Sequence, residues 1–161
     1  MKKRNLEKNL VGITGVYYAA AELSRMGYIA LITARNTRAY DILIFKEGKY
    51  KTLPVQVKTS SGDNFHIVLI KDIKKMSGDL NKKITCPYIL VKLKNKNPEF
   101  YILNVKQMKN LIRKDWNIWL NKKHHKPIRT KNVRIIFQQK EILKILENKF
   151  KDKWKENLNL D

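Results

Sequence analysis

Between residues 12 and 26 the apolar positions Val16, Ala19, Ala20, Leu23 and Met26 recur at helical spacing, and Gly27 follows as a stop signal. The spacing predicts an amphipathic helix with a small, Ala-rich packing face. The period then changes: residues 28–34, 40–45 and 50–58 are rich in β-branched and aromatic side chains and are separated by short polar breaks, which predicts three strands. The break at Glu47, Gly48 and Lys49 joins the last two as a hairpin, and folding the chain back there sets position 41 opposite position 56. Residues 65–70, 86–93 and 99–103 read as further strands, with a basic loop or short helix over 71–83 and a hairpin turn over 94–98. Helical periodicity returns over 105–120. A basic stretch over 121–132, a short strand over 133–137 and a helix from about 140 to 154 complete the chain. Helices thus bracket a mixed sheet, and the expected class is α/β with a mixed central β-sheet flanked by helices. No repeat and no Gly/Ser/Pro-rich linker divides residues 1–161, so a single domain is expected, with a core over about 10–104 and a helical, basic extension over about 105–161.

Charge changes the picture more than length does. Lys and Arg number 35 against 14 Asp and Glu, a formal net charge of +21. Residues 1–60, 61–120 and 121–161 each carry +7, so the excess belongs to the folded body and not to an appended arm. Such a field favours polyanionic partners: nucleic acid first, an anionic membrane surface second. The single cysteine, Cys86, excludes an intramolecular disulfide and a Cys-cluster zinc site, and reads as a core thiol in a reducing cytoplasm. No apolar run approaches the roughly 20 residues that span a bilayer. Gly12, Thr14, Gly15, Tyr17 and Tyr18 interrupt the one mildly apolar stretch near the start, which argues against a secretory signal and for a cytoplasmic location.

The chemistry gathers on the predicted hairpin. Side chains alternate across a strand, so Gln56 and Lys58 point to one face and Val57 to the other, and the pairing brings Asp41 to Gln56. A carboxylate, an amide oxygen and an ammonium would converge at one end of a twisted sheet, within reach of a phosphodiester held by the basic surface. The order of helix, then Tyr40-Asp41-Ile42-Leu43, then Val55-Gln56-Val57-Lys58-Thr59, resembles the PD-(D/E)XK nuclease superfamily, whose restriction-endonuclease-like fold includes archaeal Holliday-junction resolvases and many restriction enzymes. More narrowly, GITGVYYAAAEL over 12–23, RMGY over 25–28, YDILIF over 40–45 and VQVKTS over 55–60 look like a small prokaryotic family of nuclease-like proteins.

The resemblance implies that Asp41 holds Mg²⁺ or Mn²⁺, with the Gln56 amide oxygen and the Val57 main-chain carbonyl as further ligands. Lys58 would act as a point charge beside the attacking water and the scissile phosphate. Two positions depart from the family pattern. Gln56 stands where Glu or Asp is usual, and Val16 stands directly after the second Gly of GxxG, where the family commonly carries Glu. Glu22, six residues on and about 120° round the helix, is the nearest acidic candidate for the metal; its plainer role is a pair with Arg25.

For nucleic-acid contacts the candidates are Arg35 and Arg38 before the Asp41 strand, Thr59 and Ser60 after Lys58, and the basic run containing Lys122, Lys123, Lys126, Arg129 and Lys131. His124 and His125 lack acidic or Cys companions and read as surface residues. Trp116, Trp119 and Leu120 share helical spacing with Ile112, as a core or dimer stripe. The expectation is a Mg²⁺- or Mn²⁺-dependent DNA endonuclease, cytoplasmic and homodimeric, in restriction, repair or recombination. The alternative is a catalytically impaired descendant that binds structured DNA or RNA.

Overall fold

The computed structural model describes residues 3–34, 40–49, 51–94, 96–121 and 131–160, with side chains from residue 8 onward. Helix α1 (Lys3–Arg25) leads into strands β1 (Ile29–Ile32), β2 (Ile42–Phe45) and β3 (Leu53–Ser60). Strand β4 (Phe65–Asp72), a 3-10 turn (Ile73–Lys75) and α2 (Met76–Lys83) follow, then β5 (Tyr88–Lys92), β6 (Glu99–Leu103) and α3 (Val105–Leu120). Strand β7 (Lys131–Phe137), α4 (Lys140–Lys149) and α5 (Trp154–Leu158) end the chain. The predicted α/β class holds: a five-stranded mixed sheet in the order β1-β2-β3-β5-β6 carries one parallel pair, β3 with β5, among antiparallel neighbours.

Alternation along the strands separates two apolar layers. Val55 and Val57, Ile89 and Val91, and Phe100 and Ile102 face α1 and α5, packing with Ala19, Ala20, Leu23, Trp154 and Leu158. Tyr88, Leu90, Tyr101 and Leu103 face the other way, against α2, α3, α4 and the β4–β7 ribbon. Strand β5 is buried along most of its length, as a central strand with a parallel neighbour requires. Residues 105–160 furnish parts of both layers, so the C-terminal third is built into the body.

Three expectations need correction. Helix α1 begins well before residue 12, running on through Gly12 from Lys3. The strand predicted near 133–137 leaves the central sheet and pairs with β4 in a separate antiparallel ribbon. The helix predicted from 140 to 154 is interrupted: Phe150 accepts the Ile102 N–H at 2.9 Å, Asp152 donates to Phe100 O at 3.0 Å, and Asp152 sits at φ 53°. Strand β6 is the sheet edge, and the chain breaks its helix to satisfy main-chain groups that the edge would leave unpaired.

Gly15 is a packing position. A Cβ there would lie 1.9 Å from Thr59 Oγ1 and 2.8 Å from Thr59 Cβ, so only glycine lets α1 approach β3 this closely. The Thr59 hydroxyl, seated in the gap, donates to Gly12 O at 3.3 Å. Gly15→Ala should therefore destabilise the fold by about 1–3 kcal/mol, at roughly 2–4 °C of Tm per kcal/mol for a chain of this size. In thermal melts of the four single and double combinations, Thr59→Ala should recover part of that loss, since it removes the nearest clashing atoms. Additive losses would contradict the contact.

Candidate functional site

The β2–β3 register pairs Ile42 with Val55, which sets Asp41 opposite Gln56 as the hairpin arithmetic predicts. Asp41 is pinned from both sides. Its N–H donates to Val55 O at 2.8 Å, while its carbonyl accepts the Thr33 N–H at 3.0 Å and the Thr33 hydroxyl at 3.3 Å. The Asp41 carboxylate then carries the ladder one step further than the main chain does. Oδ2 accepts the Val57 N–H at 2.7 Å and Gln56 Nε2 at 2.5 Å. On its other edge β3 is held by β5, where the Gln56 N–H donates to Pro87 O at 2.9 Å.

Where β2 and β3 part, a cavity of about 500 Å³ opens between their ends and α1. Asp41, Gln56, Val57, Lys58 and Thr59 line one side; Lys8, Gly12, Val16 and Tyr17 line the other, and Thr33 lies at its margin. Lys58 is half-buried and contributes a cationic side chain to this lining. Val16, the position after the second Gly, faces this cavity and gives it an apolar wall.

The remaining predicted residues lie as follows. Glu22 is outside the cavity lining, and its carboxylate binds the Arg25 guanidinium at 2.5 and 3.1 Å; that pairing holds the carboxyl below its ordinary range. Ser60 is buried and accepts the Gly62 N–H at 3.1 Å. Lys131 is exposed at the end of β7, opposite Asp72, and belongs to the β4–β7 ribbon. Arg35, Arg38, Lys122, Lys123, Lys126 and Arg129 lie outside the described residues, as do His124 and His125.

Two site residues were not foreseen. Thr33 fixes the Asp41 carbonyl, a role visible only once β1 is known to pair with β2. Cys86 precedes β5, whose parallel register sets Tyr88 beside Gln56, and so brings the thiol close to the Asp41 charge. Burial first, and Asp41 second, push the Cys86 thiol up to about 11, against the smaller opposing effects of the Gln56 N–H and Lys58. Burial, then Cys86 and Asp41, also push the Tyr88 phenol above its ordinary 10.0.

Among the described residues no group of three or more His, Cys, Asp and Glu side chains is placed to hold a metal ion. The local donors are hard oxygens: the Asp41 carboxylate, the Gln56 amide oxygen and main-chain carbonyls. That set fits Mg²⁺ in its sparse mode, in which one or two carboxylates are completed by waters and substrate phosphates. It does not fit a structural zinc site. No helix among the described residues is long and apolar enough to cross a membrane. No protein-family model matches the chain, and neither the curated proteins nor the solved structures contain a significant match to it.

The Cys86 surroundings give a direct check on this geometry. With the thiol 4% exposed and its pKa pushed to about 11, native protein at pH 8 should be inert to a thiol-reactive dye and should react fully once denatured. Rapid labelling of the native chain would contradict the placement of Cys86 behind Asp41 and Gln56.

Proposed function

We propose that this chain is a metal-dependent DNA endonuclease of the PD-(D/E)XK type, with a restriction-endonuclease-like fold. The observation that carries the reading is the convergence of Asp41, Gln56 and Lys58 in one cavity where β2 and β3 separate. The net charge of +21 supports a polyanionic substrate.

Asp41 and the Gln56 amide oxygen would hold Mg²⁺ or Mn²⁺, with the Val57 carbonyl as a third oxygen. The metal, when bound, polarises the phosphodiester and lowers the pKa of water. Lys58 places a positive charge where the phosphate gains negative charge on attack, and Lys8 adds a second cation to the same cavity. The main-chain bonds from Thr33 and to Val55 hold Asp41 in place, so its carboxylate is oriented before substrate arrives.

A second reading rests on a specific bond. Gln56 Nε2 donates to Asp41 Oδ2, so the carboxylate is already satisfied by an amide and a main-chain N–H. A site closed in this way suits a descendant of such nucleases that binds DNA or RNA without cutting it.

Cleavage assays on duplex, nicked, single-stranded and four-way-junction DNA, with Mg²⁺ or Mn²⁺ against EDTA, separate the two. Asp41→Asn, which keeps an acceptor oxygen for Val57, and Lys58→Ala should each lower metal-dependent cleavage by about 10²–10³-fold while leaving the fold intact by circular dichroism. Val16→Glu, which adds an acid to the cavity wall, should lower the metal concentration needed for half-maximal cleavage. Salt-sensitive binding with no cleavage by the wild type or by Val16→Glu would establish the binding reading.

A further inference from the structure

Outside the central sheet, β4 and β7 form a two-stranded ribbon whose two faces differ in kind. Inward, Phe65, Ile67, Ile70, Ile135 and Phe137 are buried in the second apolar layer. Outward, His66, Leu69 and Lys71 of β4 and Arg134 of β7 are exposed, with Arg134 set across the ribbon from Leu69. The His66, Lys71 and Arg134 side chains make no hydrogen bond or ion pair among the described residues. The acids nearest this face are spent elsewhere. Asp72 accepts the Lys74 N–H at 3.0 Å, and Asp79 accepts the Lys71 N–H at 2.7 Å. Asp115, which lines a hollow with Arg134, is buried and accepts Gln139 Nε2 at 3.0 Å. The outer edge of β4 is occupied too, since Lys83 of α2 donates to Leu69 O beside the Asp79 bonds. What the ribbon offers a partner is therefore its face and not a free edge.

The shape and chemistry of that face suit one partner. Two strands about 4.8 Å apart with their side chains fill a groove of roughly 12 Å, the major groove of B-form DNA, and are too wide for the minor groove at roughly 6 Å. The residue types suit base edges there: a guanidinium fork for guanine, an ammonium and an imidazole beside it, and a Leu methyl for the thymine methyl. The sequence leading into β7 adds five Lys and Arg and no acid over 122–131, a charge that matches a phosphate backbone. We propose that the outward face of the β4–β7 ribbon is a docking surface for duplex DNA that lies in the major groove, with Arg134 as its main base-edge contact. The major groove of an RNA duplex is too deep and narrow to admit the ribbon, so the surface selects DNA over duplex RNA. The inference deepens the nuclease reading by naming duplex DNA as the partner; it rests on that reading's polyanionic substrate and is independent of cleavage.

The test uses the full chain in EDTA, which silences metal-dependent cutting. Two labelled duplexes of one sequence are titrated, one unmodified and one with glucosylated hydroxymethylcytosine at every cytosine, so that the phosphates are identical and only the major groove is blocked. Wild type should bind the open duplex about tenfold more tightly, within the range of one good base-edge contact. A double variant, Lys71→Ser with Arg134→Ser, should bind both duplexes alike. Removing the same charge elsewhere, with Lys153→Ser and Lys155→Ser, should weaken both equally and keep the difference, since those exposed lysines of the C-terminal segment act only on phosphates. Arg134→Lys keeps the charge without the fork; it should lose part of the difference, and it covers the case in which the double variant does not fold. Equal wild-type affinity for the two duplexes would overturn the proposal, as would a difference that survives both ribbon variants, or duplex RNA bound as tightly as open DNA. No cleavage in Mg²⁺ with the groove preference intact would remove the nuclease reading and leave this one standing; cleavage without that preference would do the reverse.

Discussion

The Asp41 carboxylate does the work of a main-chain carbonyl. Strands β2 and β3 pair only over Ile42–Ile44 and Leu53–Val55, and beyond that point the Val57 N–H would face a gap. Asp41 Oδ2 fills it at 2.7 Å. The strands can therefore part without leaving an edge donor unpaired, and their parting opens the cavity that α1 covers. The position that terminates the ladder is thus also the one whose acid faces the cavity. A side chain that only capped the strand could be Asn or Ser; a side chain that served only chemistry would need some other group to close the sheet.

The opposite wall depends on a similar economy of space. Thr59 is on the face of β3 toward α1, and the helix can reach it only because position 15 lacks a side chain. That approach brings Val16 and Tyr17 to the cavity lined by Lys58 and Gln56. The geometry of the candidate site is set by two backbone-level devices, a carboxylate in the ladder and a glycine in the helix, more than by its polar side chains.

These devices explain which features could be read from residues alone. Helix, hairpin and register were legible because period and turn chemistry are local: Glu47-Gly48 fixes the reversal, Gly48 takes φ 74°, and the sum of paired positions follows. The place of Cys86 was not legible, because it depends on the parallel union of β3 with β5 across an intervening strand and helix. The break after Lys149 was hidden for a related reason. Its cause is the unmet edge of β6, some fifty residues earlier in the chain, while the local apolar spacing argues for one continuous helix. The contact role of Gly15 was equally hidden, since it depends on which strand residue faces the helix at that point.

On the nuclease reading, exchanging a second acid for Gln56 alters how a metal ion would be held. Two adjacent carboxylates repel, and one of them is driven toward protonation until a cation arrives. Gln56 removes that repulsion and donates a hydrogen bond to Asp41, so the apo site is settled and a cation must compete with an amide and a main-chain N–H, both on Oδ2. A site with one acid gains its remaining negative ligand from the substrate phosphate. Metal and DNA affinity then become linked, each raising the other by the same factor. The +21 charge of the body favours DNA arriving first, so the cation would be recruited into a phosphate-completed site and not stored in an empty one.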